Sequence, residues 1–124
     1  MKKKSLNFII PLVVYPFDVM ISFGETDQKL IATLKRNGIV DEEELKLVLM
    51  SGMGRYCMFN NNSSLIRLWT YPEYAADYGT LAHEVFHATT YILDKIGMDF
   101  TLKISDEAYA YLIGYITTEI YKKL

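Results

Sequence analysis

The sequence has 124 residues, 51% hydrophobic and 23% charged, with a formal net charge of −2. That is the size of one domain, with enough apolar material for a single core. Its basic residues are dispersed apart from Lys2-Lys3-Lys4 and Lys122-Lys123, which argues against a nucleic-acid footprint, and its one cysteine, Cys57, excludes an internal disulfide and fits a reducing compartment.

The N-terminus imitates an export signal, with three lysines ahead of an apolar run over 6–15. Pro11, Pro16 and Asp18, and the lack of a small-x-small cleavage site, favour a strand leading into the fold. No apolar run approaches bilayer-spanning length, so a cytoplasmic protein without a membrane partner is expected. Phe17, Val19, Ile21 and Phe23 then alternate with Asp18, Met20 and Ser22, the period of a strand ending at Gly24. Thr26 is a good N-cap for a helix to Asn37-Gly38, with Leu30, Ile31 and Leu34 facing inward. Asp41 and Glu44 have capping-box spacing for a second, short helix that buries Leu45, Val48 and Leu49. The acidic run over 41–44 is read as helix-start chemistry rather than a cation site.

Ser51-Gly52-Met53-Gly54 breaks the chain before a β-hairpin, 55–59 and 65–69, joined by the polar turn 60–64. Cys57 lies within this apolar run as a buried, inert thiol. Arg67 and Trp69 are read as structural residues of the hairpin rather than as the lining of a cleft. Pro72 suits the first turn of a helix starting near Thr70 or Tyr71, with Gly79 interrupting it. The stretch 80–96 follows as an amphipathic helix whose expected core face is Ala82, Val85, Phe86, Thr89, Ile92, Leu93 and Ile96. Gly97 stops it. An eight-residue connector, 97–104, alternates like an extended segment, and a last helix runs from an N-cap at Ser105 to about Lys122. Tyr109, Leu112, Ile113, Ile116 and Ile120 form its core face, and Gly114 permits close approach of another helix.

The chemistry is concentrated in His83-Glu84-Val85-Phe86-His87, which holds both histidines of the chain. On a helix, positions i and i+4 lie about 40° apart and one turn along, so two imidazoles can converge on one ion. Glu84 points in an adjacent direction, where it can hold a metal-bound water. This is H-E-x-x-H, the zinc-hydrolase arrangement of two ligands and a general base. Zinc needs a third protein donor, and beyond His87 only Asp94, Asp99, Asp106, Glu107 and Glu119 are of a suitable type. Asp94 sits about 10 Å further along the same helix and cannot reach. Asp106 and Glu107 open the last helix, and an extended connector could span roughly 26 Å to return either to the ion.

The spacing of nineteen residues between His87 and Glu107, and the segment Asp106-Glu107-Ala108-Tyr109-Ala110-Tyr111, resemble the gluzincin branch of the zincin metallopeptidases. The whole chain also resembles small uncharacterised peptidases of phages and prophages, of minimal gluzincin build. The resemblance implies an α+β, zincin-like domain over 1–124: a small sheet of N-terminal strand and hairpin packed on helices, with an active-site helix and a C-terminal glutamate helix. It implies one Zn2+ held by His83, His87 and Glu107, with Glu84 as catalytic base for hydrolysis of a peptide or protein substrate. Asp106 stands where thermolysin-like members carry Asn, and Tyr111 where they carry an acid. Asp106, Tyr91 and Tyr111 are therefore the candidates for orienting the ligands or stabilising an oxyanion. The chain stops soon after the glutamate helix, so the expected cleft is shallow or completed by a partner. Two other readings stand beside it: a non-catalytic zinc-binding interaction or regulatory module, acting for instance on a host protein, and a metal-free helical scaffold.

Overall fold

The alternating run becomes β2 (Asp18–Phe23), and its neighbours explain why both of its faces are buried. A computed structural model describes residues 4–49 and 52–124. Around β2 stand β1 (Leu6–Pro11), β3 (Gly54–Met58) and β4 (Ser63–Leu68), with helices α1 (Asp27–Arg36), α2 (Glu42–Leu47), α3 (Ala75–Lys95) and α4 (Asp106–Tyr121). The architecture is α+β, with a mixed sheet in the order β1-β2-β4-β3. β2 pairs antiparallel with β1 and parallel with β4, while β3 and β4 form the expected hairpin. A parallel pair needs a crossover, and here α1, α2 and β3 intervene in the chain between β2 and β4. The expected polar side of the alternation is thus a second covered face.

Two apolar layers result. Val19, Ile21, Phe23, Ile66 and Leu68 pack against Leu81, Val85, Ala88 and Ile92 of α3 and Leu112, Ile116 and Ile120 of α4. On the other face Met20, Cys57 and Leu65 meet Leu30, Leu34, Ile39, Leu45 and Val48. Each fully buried Leu or Ile stabilises the fold by about 1.5–3 kcal/mol relative to exposure. Thr26 caps α1 as expected, accepting the Lys29 amide at 3.2 Å. Asp41 accepts the Glu43 and Glu44 amides, but Glu44 does not complete a capping box. Its carboxylate takes the Asn60 amide at 2.8 Å, tying α2 to the hairpin turn. Leu49 is exposed rather than buried. Ser51, part of the expected chain break, lies outside the described residues.

Around the motif the structure differs from the sequence reading in four ways. First, no helix starts at Thr70 or Tyr71. α3 starts at Ala75 and runs through Gly79, because the Asp77 carboxylate accepts the Glu73 and Tyr74 amides, both at 2.9 Å, and closes the first turn there. Second, the buried stripe is Leu81, Glu84, Val85, Ala88, Thr89, Ile92 and Leu93, while Ala82, Phe86 and Ile96 are exposed. The sheet selects the stripe, and it prefers the small Ala88 to the large Phe86. Third, the connector is not extended: the Ile104 and Ser105 amides both bond the Thr101 carbonyl, and Lys103 adopts φ 68° to turn the chain. Fourth, Gly114 faces open space and brings no helix close. The core face of α4 is otherwise as expected, with Tyr109, Leu112, Ile116 and Ile120 buried.

Candidate metal centre

His83 and His87 leave α3 on the side turned away from the apolar layer, one helical turn apart. Their Nε2 atoms stand 3.0 Å apart, with the ring planes crossed at 76°. Two nitrogens bound at 2.0–2.1 Å to a tetrahedral zinc are separated by roughly 3.3 Å, so the pair is set at ligand spacing. The next residue behaves differently. Glu84 is only 6% exposed and turns toward β3, with a carboxylate oxygen 4.0 Å from His83 Nε2. Its carboxylate is thus withdrawn from solvent and lies beside the imidazole pair rather than on the surface.

Between α3 and β3 lies a cleft of about 250 Å³, lined by Gly54, Arg55, Tyr56, Glu84, His87 and Tyr91. β3 forms an edge of the sheet, so among the described residues one side of it has no strand neighbour. Tyr91 closes the cleft one turn beyond His87, its ring edge-on to His87 at 6.1 Å and to Tyr56 at 5.6 Å. Tyr56 packs beneath it; burial pushes its phenol up to about 12, and its hydroxyl finds no hydrogen-bond partner. On the opposite face of β3, burial pushes the Cys57 thiol up to about 11, as expected of an inert core cysteine.

The other residues expected at the site lie elsewhere. Asp106 and Glu107 occupy the first turn of α4, Asp106 half-buried and Glu107 exposed. The Tyr109 hydroxyl donates to the Met98 carbonyl at 2.6 Å, and Tyr78 meets Tyr121 with ring centroids 6.0 Å apart. The two helices are therefore antiparallel, with the start of α4 at the end of α3. From His87 to Lys95 is about 12 Å of helix, and Glu107 sits near that far end. Tyr111 is exposed and stacks on Tyr115, beside Leu12, Val13 and Val14, away from the cleft. Among the described residues no group of three His, Cys, Asp or Glu side chains is arranged to hold a metal. The histidine pair and Glu84 fit a zinc ion, and a third protein donor is not assembled beside them.

Arg67 is 1% exposed and belongs to the far face of the sheet, as its structural reading requires. It donates to the Val48 and Glu25 carbonyls, bonds Asp27 at 2.7 Å and lies 4.3 Å from the Trp69 ring. Three cleft residues were not singled out in the sequence: Gly54, taken only as part of a chain break, and Arg55 and Tyr56, taken only as part of the hairpin. Glycine inside a strand can mark a close backbone approach, but the sequence placed Gly54 before the strand, where it reads as a break. No family model, curated protein or solved structure matches the chain.

Proposed function

We propose that the protein is a zinc-dependent hydrolase of peptide bonds, a zincin-like domain of minimal gluzincin build. The observation that carries the reading is the pairing of His83 and His87, Nε2 atoms 3.0 Å apart, with the buried Glu84 carboxylate at the mouth of a cleft. A purely structural zinc site has no use for a buried acid beside its ligands.

His83 and His87 would bind through Nε2, and Glu107, the third donor on its spacing from His87, would join them once the start of α4 leaves its place at the far end of α3. Zinc held there supplies Lewis-acid polarisation of a water and of the scissile carbonyl. Glu84 accepts the proton of the attacking water and returns it to the departing amine, and its burial keeps that proton from bulk solvent. The unpaired edge of β3 offers backbone groups to an extended peptide, the substrate class of this reading. Tyr91 walls the cleft one turn beyond His87. Nucleic acid and membrane are not among the partners of this reading.

Glu84→Gln tests it. The variant keeps zinc and loses peptide hydrolysis by at least about a hundredfold, the usual worth of a general base. Unchanged hydrolysis overturns the assignment. The second reading, a zinc-binding interaction or regulatory module that cleaves nothing, is favoured by one observation: among the described residues no third donor stands beside the histidines. Zinc binding that survives Glu107→Gln undiminished, with no cleavage of a peptide library, supports that module instead.

A further inference from the structure

A general base must be held at a fixed distance from the water it deprotonates, and a glutamate side chain has enough free torsions to miss that position. What seats Glu84 is a residue without a side chain. Gly54 opens β3 opposite the start of the motif, and it does not occupy the left-handed backbone region, so conformation alone does not demand glycine there. Space does. A Cβ at this position would stand 2.8 Å from Thr80 Cγ2, 2.9 Å from Leu68 Cδ2 and 3.2 Å from Glu84 Cγ. Thr80 and Glu84 are one turn apart on α3, so the helix lies directly against the strand over that whole turn.

Resting on the hydrolase reading above, we infer that Gly54 is a positioning residue for Glu84. The missing side chain lets the Glu84 methylenes seat against β3, and this sets the carboxylate beside His83. The two tightest contacts of an added Cβ are with methyls of Thr80, whose β-branched side chain is stiff, and of buried Leu68, so Gly54→Ala costs some stability. The third, with Glu84 Cγ, falls in the middle of the chain that carries the carboxylate and shifts the base.

Thr80 provides the control, because its hydroxyl donates to the Ala76 carbonyl at 3.1 Å. Thr80→Ser keeps that bond and removes the Cγ2 methyl that an alanine at 54 would meet. Kinetics on a peptide substrate, zinc titration and thermal unfolding are measured for Gly54→Ala, Thr80→Ser and the double variant. The expected result is that Gly54→Ala keeps zinc affinity and KM close to wild type, lowers Tm and loses roughly ten- to a hundredfold in kcat. Thr80→Ser alone is unchanged, and the double variant recovers part of the lost Tm but stays slow, because the contact with Glu84 Cγ remains. Wild-type kcat in Gly54→Ala, loss of zinc affinity together with kcat, or a double variant that recovers kcat along with Tm each overturns the inference.

Crystal structures of the metal-free variants make the outcome independent of activity. The Glu84 carboxylate stands 4.0 Å from His83 Nε2 in wild type and is displaced from that place in both Gly54→Ala and the double variant. A carboxylate in its wild-type place in Gly54→Ala overturns the positioning claim. If wild type cleaves no peptide, the hydrolase reading fails by itself, and the carboxylate positions still decide what Gly54 does to Glu84.

Discussion

The Tyr109 hydroxyl donates to the Met98 carbonyl at 2.6 Å, and this bond fixes the start of α4 beside the end of α3. It therefore fixes the distance between Glu107 and the histidines. Phe100 adds an edge-on contact with the Tyr109 ring at 5.1 Å. Delivering Glu107 to the histidine pair requires this end of α4 to leave its seat. Tyr109→Phe keeps the ring and removes the bond. The metal-free variant loses about 1 kcal/mol of stability, a few degrees in Tm, while zinc affinity holds or rises. Thermal scans and zinc titrations check this; zinc affinity that falls together with Tm contradicts it.

Arg67 joins the sheet to α1 and to the segment after α2, bonding Asp27 at 2.7 Å and donating to the carbonyls of Val48 at 2.8 Å and Glu25 at 3.2 Å. Arg67→Met fills part of the volume and leaves both carbonyls without this donor. A loss of roughly 2–4 kcal/mol is expected in urea unfolding. Zinc affinity stays unchanged, because Arg67 lies on the face of the sheet away from the cleft. A variant as stable as wild type contradicts the structural role.

Much of this frame was legible in the sequence, for identifiable reasons. Period-two alternation found β2 and the hairpin, and helix-start chemistry at Thr26 and Asp41 found α1 and α2. The i, i+4 histidines were legible because helix geometry alone fixes their convergence. The buried stripe of α3 was not. Phe86 is more apolar than Ala88, and only the sheet beneath the helix shows that the small residue faces it. The connector misled in the same way: alternation over 97–104 suggested an extended run, whereas the turn at Lys103 leaves Phe100, Leu102 and Ile104 exposed. A local pattern could not show where Glu107 would lie.

Burial holds the Tyr56 phenol up at about 12 and the Cys57 thiol up at about 11. Both groups ionise more easily in the unfolded chain. Their contribution is fully present below the unfolded values of 10.0 and 9.0 and is lost as pH rises through the folded ones. Unfolding midpoints are expected to fall between about pH 9 and 12. Tyr56→Phe, which removes a hydroxyl without a partner, flattens the upper part of that fall and costs little at pH 7. At pH 8, iodoacetamide labels Cys57 slowly in the folded protein and rapidly in denaturant. Fast labelling of the folded protein contradicts the buried thiol.

The Asp77 carboxyl is held below its ordinary value by the Tyr74 and Glu73 amides that it accepts. A depressed carboxylate contributes stability above its unfolded value and loses it as pH falls through the folded one. Asp77→Asn is expected to lower Tm at neutral pH, with the gap to wild type closing in acid. A gap that is independent of pH contradicts the capping role.

The His83–His87 pair remains the centre of the account, and direct zinc titration of the metal-free protein tests it most plainly. Calorimetry is expected to show one zinc per chain, with binding abolished in His87→Ala while far-ultraviolet circular dichroism shows the fold intact. Wild-type protein that takes up no zinc, or His87→Ala that binds as wild type does, contradicts the metal centre.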